Sequence, residues 1–254
     1  ETIYRRLGTK FDYYFFESES GPVGQKLVED NLDKIFETSD NAVIFRGEKH
    51  NLHTRVFLNS DGLPTYEAKE LGLAKLKFER YPYDQSIVIT GNEVTGYFAV
   101  LKKVLELILP NLAQKTKHLP HGMLRLPTGK MSSRTGTVVT AESLLNEVKV
   151  AANQKAAERD FSAAERETVA EAVAVAAIKY SILKQSPGRD IIFDLVKSLS
   201  LGGDSGPYLQ YTYVRARSVL EKASAENISI NFVQPPAEIS ELERRLTRFP
   251  EAVA

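Results

Sequence analysis

The chain has 254 residues, with 33 basic and 33 acidic side chains and a formal net charge of +0 at pH 7. That balance argues against a protein that holds nucleic acid by bulk charge alone, though a local basic face is compatible with it. There is no cysteine, which excludes disulfides, thiolate chemistry and cysteine-ligated zinc, and no apolar run approaches the length that spans a bilayer. The opening Glu1-Thr2-Ile3-Tyr4-Arg5-Arg6 is not a signal peptide, so a cytoplasmic protein is expected. His50 and His53 stand three apart in a polar stretch with no further ligand set, which reads as a solvated loop.

Residues 22 to 37 read as a helix, with Val23, Leu27, Ile35 and Phe36 near one face. Ala42-Val43-Ile44-Phe45 and Arg55-Val56-Phe57-Leu58 are short strand-like runs, and Asn59-Ser60-Asp61-Gly62 is a turn signal. Residues 65 to 80 predict a helix rich in Ala, Leu, Lys and Glu. Ser86-Ile87-Val88-Ile89-Thr90 is nearly all apolar and ends at Gly91, the pattern of a strand buried on both faces. A helix from about Val94 to Leu109, stopped by Pro110, and a strand over His118 to Leu126 follow. Alternating helices and buried strands predict an α/β layer with parallel strands and helical crossovers. In such layers ligands bind at the carboxyl ends of strands, which draws attention to Thr90-Gly91 and His121-Gly122-Met123.

After residue 140 the chain reads as helix. Thr140 is an N-cap with Glu142 in the first turn, and Ser162-Ala163-Ala164-Glu165 is a capping box. The helix it opens carries Val169, Val173, Ala176, Ala177, Tyr180 and Leu183 at helical spacing and stops at Ser186-Pro187-Gly188. Further helices are predicted at 208–225 and from about 237 onward.

Gly129-Lys130-Met131-Ser132-Ser133-Arg134-Thr135-Gly136 is bracketed by glycines and carries two cations and three hydroxyl groups. Taken alone it is a hydrophilic surface loop. It also has the means to close on a polyphosphate, because lysine offers a point charge, arginine a planar fork, and the glycines expose backbone N–H donors.

Lys130-Met131-Ser132 in this setting resembles the Lys-Met-Ser-Lys-Ser signature of class I aminoacyl-tRNA synthetases, and His121-Gly122-Met123 upstream fits the same family. The signature has lysine where this chain has Ser133, and Arg134 follows; whether Arg134 takes the lysine's place is left open. The resemblance implies that His121, Gly122 and Met123 lie beside adenine and that Lys130 stabilises the pyrophosphate leaving group. Met131, Ser132 and Ser133 would join it as ATP contacts.

Asp61-Gly62-Leu63-Pro64-Thr65-Tyr66-Glu67-Ala68-Lys69-Glu70 is similar to a block of arginyl-tRNA synthetases with a tyrosine and, four residues later, an acidic side chain. Spaced by four, Tyr66 and Glu70 share a helix face. A ring and a carboxylate suit a guanidinium, by stacking and by a bidentate charge-assisted pair. The family usually has aspartate at the Glu70 position. Glu93 falls about where the family has a glutamine near the substrate. Ile3-Tyr4-Arg5-Arg6-Leu7-Gly8, Phe11-Asp12 and Glu17-Ser18 also resemble the middle of this catalytic domain.

Gly206-Pro207-Tyr208-Leu209-Gln210-Tyr211-Thr212-Tyr213-Val214-Arg215-Ala216-Arg217 resembles the opening of the helical anticodon-binding domain of the same synthetases. Rings can stack on unpaired bases while arginines meet phosphates. Tyr208 and Leu209 are expected mostly to pack, Tyr211 and Arg215 to face tRNA. Lys179 and Lys184 are lesser candidates for its backbone.

The resemblance implies the later half of a Rossmann-like class I nucleotide-binding fold over 1–140, a helical connector over 141–186, and the start of an all-α anticodon-binding domain over 187–254. The implied activity is that of an arginine–tRNA ligase, with ATP and Mg²⁺ as co-substrate, L-arginine and tRNA(Arg) as partners, and no tightly bound cofactor or metal site. A monomer is expected. The family's His-Ile-Gly-His motif does not occur here, so a fragment with little activity alone is expected. The alternatives are a truncated tRNA-binding or regulatory module and another class I synthetase.

Overall fold

The computed structural model describes residues 1–125, 127, 140–157, 160–228 and 238–253. The chain folds as two units, Glu1–Pro207 and Tyr208–Ala254.

The first unit opens with α1 (Thr2–Arg6) and α2 (Glu17–Glu29), then an antiparallel sheet of β1 (Glu37–Ser39), β2 (Ala42–Phe45) and β3 (Arg55–Leu58). It continues through α3 (Tyr66–Arg80), β4 (Ser86–Gly91), α4 (Thr95–Ile108), α5 (Pro110–Lys115) and β5 (Thr116–His121). Strands β4 and β5 pair in parallel, in register from Ser86 opposite Thr116 to Gly91 opposite His121, with α4 and α5 as the crossover. Next come β6 (Leu124–Arg125), α6 (Ala141–Ala156), α7 (Ala163–Leu183), β7 (Ile191–Ile192) and α8 (Leu195–Ser198). Here β6 and β7 are again parallel. Helix α9 (Gly206–Ala225) runs on into the second unit, whose other described elements are α10 (Glu241–Thr247) and α11 (Phe249–Val253). The result is a mixed α/β layer followed by helix, as expected of the fold class.

Two cores hold the first unit. Phe36, Phe57, Leu71, Val100 and Val104 centre one, among α2, α3, α4 and the antiparallel sheet. Leu145, Val148, Ala170, Ala174 and Phe193 centre the other, where α6 and α7 pack together and Ile3 of α1 and Leu7 just after it join them. Arg6 ties α1 to this pair, Nε to Glu171 Oε1 at 2.7 Å and Nη1 to Asn146 Oδ1 at 2.8 Å.

The predicted caps form. Ser143 N donates to Thr140 Oγ1 at 3.1 Å, and Ser162 and Glu165 make the reciprocal box. Several boundaries differ from the sequence reading. Helix α2 begins and ends earlier than 22–37, because Glu19 Oε2 accepts from Phe16 N and starts the helix there. It ends where Asn31 donates to Leu27 O and Asp33 turns to a φ of 62°. Pro110 separates two helices by starting the second, where its missing N–H costs nothing. The strand expected over 118–126 breaks at Gly122, whose backbone lies against that of Arg189. Ile87 and Ile89 are not buried on both faces: they are 53% and 63% exposed, because only the Val88 side of β4 packs on the first core.

The α2–α3 contact is backbone on backbone. A Cβ on Gly24 would lie 1.8 Å from Ala68 O, and one on Gly72 would lie 2.1 Å from Ser20 O. Alanine gains up to about 1 kcal/mol of helix propensity over glycine. That gain is outweighed here, since the obstructing atoms are helix carbonyls that cannot rotate away. We expect Gly72→Ala to lower unfolding stability by about 1–3 kcal/mol in urea denaturation; an unchanged midpoint would refute the close crossing.

Candidate functional site

The turn after β3 sets the start of α3. Asn59 Oδ1 accepts from Asp61 N at 3.0 Å and Leu63 N at 2.8 Å, and Gly62 takes a φ of 73°. Thr65 N then donates to Phe57 O at 2.9 Å, so the helix leaves directly from the sheet with Tyr66 as its first residue. From there Tyr66, Glu70 and Lys77 follow one face. Ala68, Leu71 and Ala74 are buried on the side facing the core.

Tyr66 and Glu70 lie one helical turn apart on this face, close enough for each to act on the other's titration. Tyr66 stays 51% exposed, with its ring 5.4 Å from that of buried Tyr97 on α4. Tyr97 OH donates to Tyr66 O at 3.4 Å. Arg55 of β3 stands over the Tyr97 ring at 5.9 Å and pairs with Glu67 at 3.7 Å. Behind Glu70 lies a cavity of about 30 Å³ lined by Lys77, Lys102, Phe98, Thr116 and His118. Lys77 Nζ donates to Ser86 Oγ at 3.0 Å on β4. His118 stacks on Phe98 with centroids 4.0 Å apart, and its Nε2 meets Thr90 Oγ1 at 2.8 Å.

Burial and neighbouring charge shift Glu70, Lys77, Tyr66, Tyr97 and His118. Burial pushes the Glu70 carboxyl above the usual range, while the Lys77 charge and the neighbouring Tyr66 phenol pull it back down. Burial lowers Lys77, offset in part by Glu70. Tyr97 is pushed up by burial and then by Glu70 and Glu67, and Tyr66 by burial and then by Glu70. Desolvation lowers His118. The site is a half-buried carboxyl beside an exposed ring.

The carboxyl end of β5 carries the second candidate. His121 is exposed, its Nδ1 2.7 Å from Gly122 O. Gly122 is buried, and a Cβ there would lie 1.8 Å from Arg189 O. Met123 N donates to Asp190 Oδ1 at 3.0 Å, Ile191 N donates to Met123 O at 2.9 Å, and Asp190 pairs with Arg125 at 2.5 Å. Gly91 at the end of β4 abuts Met123, its Cβ position 3.0 Å from the sulfur. The two strand ends flagged in the sequence are therefore neighbours.

Other expected residues are dispersed. Glu93 is exposed in the 3-10 turn Asn92–Val94 and is not among the side chains lining the Glu70 cavity. Lys130, Met131, Ser132, Ser133 and Arg134 lie outside the described residues. In the second unit, Tyr211 and Arg215 meet on one face of α9, with Arg215 Nη1 donating to Tyr211 OH at 3.3 Å and the guanidinium 5.7 Å from the ring centroid. Both are exposed, and so is Leu209, which the sequence reading expected to pack. Lys184 is taken up by Asp204 at 2.9 Å.

Lys77, Tyr97 and His118 were not singled out from the sequence. Lys77 had a signal, since it stands seven residues after Glu70 on the same face. The other two are brought in by tertiary packing alone. A larger cleft of about 800 Å³ between α1 and the α6–α7 pair is lined by Arg6, Lys149 and Glu171. Its size does not make it the better site, because Glu171 already pairs with both cations. Among the described residues no group of three or more His, Asp or Glu side chains could hold a metal, and no helix is long and apolar enough to cross a membrane.

Parallel strands with helical crossovers, and candidate side chains at the strand ends and on the adjoining helix, define a class of nucleotide-binding α/β catalytic domain. The family described as tRNA synthetases class I (R), catalytic domain, matches residues 17–195, and the chain belongs to it. It is 35% identical over 253 residues to an arginine–tRNA ligase of Bacteroides fragilis, a match covering 97% of this chain and 42% of that protein. It is 36% identical over 227 residues to one from Treponema pallidum, covering 88% and 38%. The solved arginyl-tRNA synthetase of Thermus thermophilus superposes with a TM-score of 0.74 at 25% identity, over 99% of this chain and 49% of that one. The chain spans about two fifths of the length of these curated relatives.

The Gly122 crossing is testable apart from any activity. Gly122→Ala should destabilise the β6–β7 pairing by about 1–3 kcal/mol, seen as faster amide exchange at Ile191 and Phe193. Unchanged exchange at both amides would show that the backbones are not in contact.

Proposed function

We propose that this chain carries the arginine-binding and part of the ATP-binding machinery of an arginine–tRNA ligase, a cytoplasmic, monomeric enzyme of protein synthesis. In the first step a carboxylate oxygen of L-arginine attacks the α-phosphorus of ATP. The bond from that phosphorus to the bridging oxygen breaks, giving arginyl-adenylate and pyrophosphate. In the second step a hydroxyl of the terminal ribose of tRNA(Arg) attacks the activated carbonyl, loses its proton and displaces AMP. No protein nucleophile is needed, so the work of the site is positioning and charge stabilisation.

The observation that carries the reading is the Tyr66–Glu70 pair, an exposed ring and a half-buried carboxyl one turn apart on one helix face inside the matched family domain. A guanidinium there stacks on the ring and forms a charge-assisted pair with Glu70. Glu93, on the turn after β4, joins as a more distant contact. His121, Gly122 and Met123 take the adenine side. Lys130 and Arg134 stabilise the phosphates of Mg²⁺–ATP, with Met131, Ser132 and Ser133 completing the loop. Residues 1–140 act as the later half of the catalytic domain, 141–186 as a connector and 187–254 as the start of the anticodon-binding domain. Tyr211 and Arg215 supply stacking and phosphate contacts to tRNA.

Calorimetry tests the two ends separately. Glu70→Gln should weaken arginine binding by about 1.5–3 kcal/mol, the worth of a hydrogen bond to a charged group, and leave ATP binding unchanged. Equal arginine affinity in both proteins would remove Glu70 from the site. Tyr211→Ala should weaken tRNA binding by about 1–3 kcal/mol, the worth of one stacked base; no change in a filter-binding isotherm would return Tyr211 to an ordinary helix surface.

A further inference from the structure

Lys77 is the one cation that faces Glu70 from its own helix and is itself anchored elsewhere. Its ammonium donates to Ser86 Oγ at 3.0 Å, so β4 holds it in place. It lines the same cavity of about 30 Å³ as Glu70. Among the described residues Glu70 makes no direct ion pair, whereas its neighbour Glu67 is already engaged by Arg55 at 3.7 Å. A charge held across a small cavity acts on the carboxylate without occupying its oxygens. Those oxygens stay available to a ligand from the Tyr66 side.

We infer that Lys77 is a positioning residue, a fixed internal counter-charge that keeps Glu70 ionised and oriented for a guanidinium ligand without neutralising it by contact. The inference rests on the reading of Glu70 as the partner of arginine. Two opposing effects give it a distinctive signature. Burial raises the Glu70 carboxyl, and Lys77 is the first of the influences that lower it again. Without Lys77, Glu70 therefore protonates at higher pH, and arginine binding is lost at higher pH. Above that point Glu70 is ionised in either protein, and removing a like charge leaves arginine binding equal or tighter. Damage to packing would instead weaken binding at every pH.

The other groups facing Glu70 are shared by both proteins in the comparison. They are Tyr66 on its own helix, Glu17 from α2, Tyr97 and Lys102 from α4 and His118 from β5. The difference between wild type and variant therefore isolates Lys77.

The test is a carbon-13 titration of the Glu70 side-chain carboxyl in the full chain, its resonance assigned by its loss in Glu70→Gln. Lys77→Met should raise the midpoint by about one pH unit, the lower end of what a nearby opposite charge supplies, and Lys77→Arg should restore it. Coincident midpoints in wild type and Lys77→Met overturn the inference. If Lys77→Met does not fold, the wild type still answers. The Lys77 Cε resonance, assigned by its loss in Lys77→Arg, should show a step at the Glu70 midpoint, and no step overturns the inference. Calorimetry with L-arginine between about pH 5 and 8, the range where these groups change charge, supplies the functional arm. The loss of affinity on acidification should move up by the same unit in Lys77→Met. If Glu70→Gln leaves arginine affinity unchanged while the two carboxyl midpoints differ, the arginine reading fails and the hold of Lys77 on Glu70 stands.

Discussion

The crossing of α2 on α3 through Gly24 and Gly72 fixes where everything else on α3 points. Each glycine admits the backbone of the facing helix at distances no side chain allows. A helix held this closely along one stripe cannot roll. With Gly72 against α2 and Leu71 and Ala74 in the core, the stripe of Tyr66, Glu70 and Lys77 is turned toward α4 and β5. Leu71, Val100 and Val104 then fill the space between α3 and α4. Among the described residues, the site is half-buried as a consequence of packing the helix.

The sheet of β4 and β5 is covered on one side. Helices α3, α4 and α5 cover β4 and β5 on the Val88 side, leaving Ile87 and Ile89 outward. Composition cannot reveal this, because an apolar run of five has the same appearance whether one face or two is covered. The covered face is also the chemical one. Ser86, Val88 and Thr90 alternate along β4 opposite Thr116, His118 and Pro120 of β5, so the anchor of Lys77 and the imidazole beside Glu70 come from adjacent strands on a single face.

Much of the fold was legible because its signals are local. Caps at Thr140 and Ser162 form as written, and the strands at 42–45 and 55–58 and the helix over 66–80 follow from short-range pattern. The Tyr66–Glu70 pair was legible for the same reason, since four residues of helix bring them together whatever surrounds them. What was not legible depends on chains crossing. The break at Gly122 needs residues 189 and 190, nearly seventy positions away, and the early end of α2 needs the left-handed turn at Asp33. Tyr97 and His118 belong to the cluster only because α4 and β5 pack beside α3. The glycine-bracketed Lys130-Met131-Ser132 segment, the clearest motif in the sequence, falls on residues outside those described.

Glu67 and Glu70, two of the carboxylates of α3, show how one helix can separate a structural charge from an available one. Glu67 and Glu70 are three residues apart, yet they meet different partners. Glu67 is paired with Arg55, whose guanidinium also lies over Tyr97, so that carboxylate is committed to joining β3, α3 and α4. Glu70 has the Tyr66 ring one turn away and the charge of Lys77 across a small cavity. A direct ion pair would satisfy Glu70 and close it to ligands. No counter-charge at all would leave a half-buried carboxyl that prefers its proton. A lysine held off by a serine on the neighbouring strand lies between those limits. The arm of glutamate extends the carboxylate well out from its backbone while the ring of Tyr66 remains one turn away. With Lys77 anchored to Ser86 and no ion pair at Glu70 among the described residues, the carboxylate on this face of α3 is left with its oxygens uncommitted to a cation of the chain.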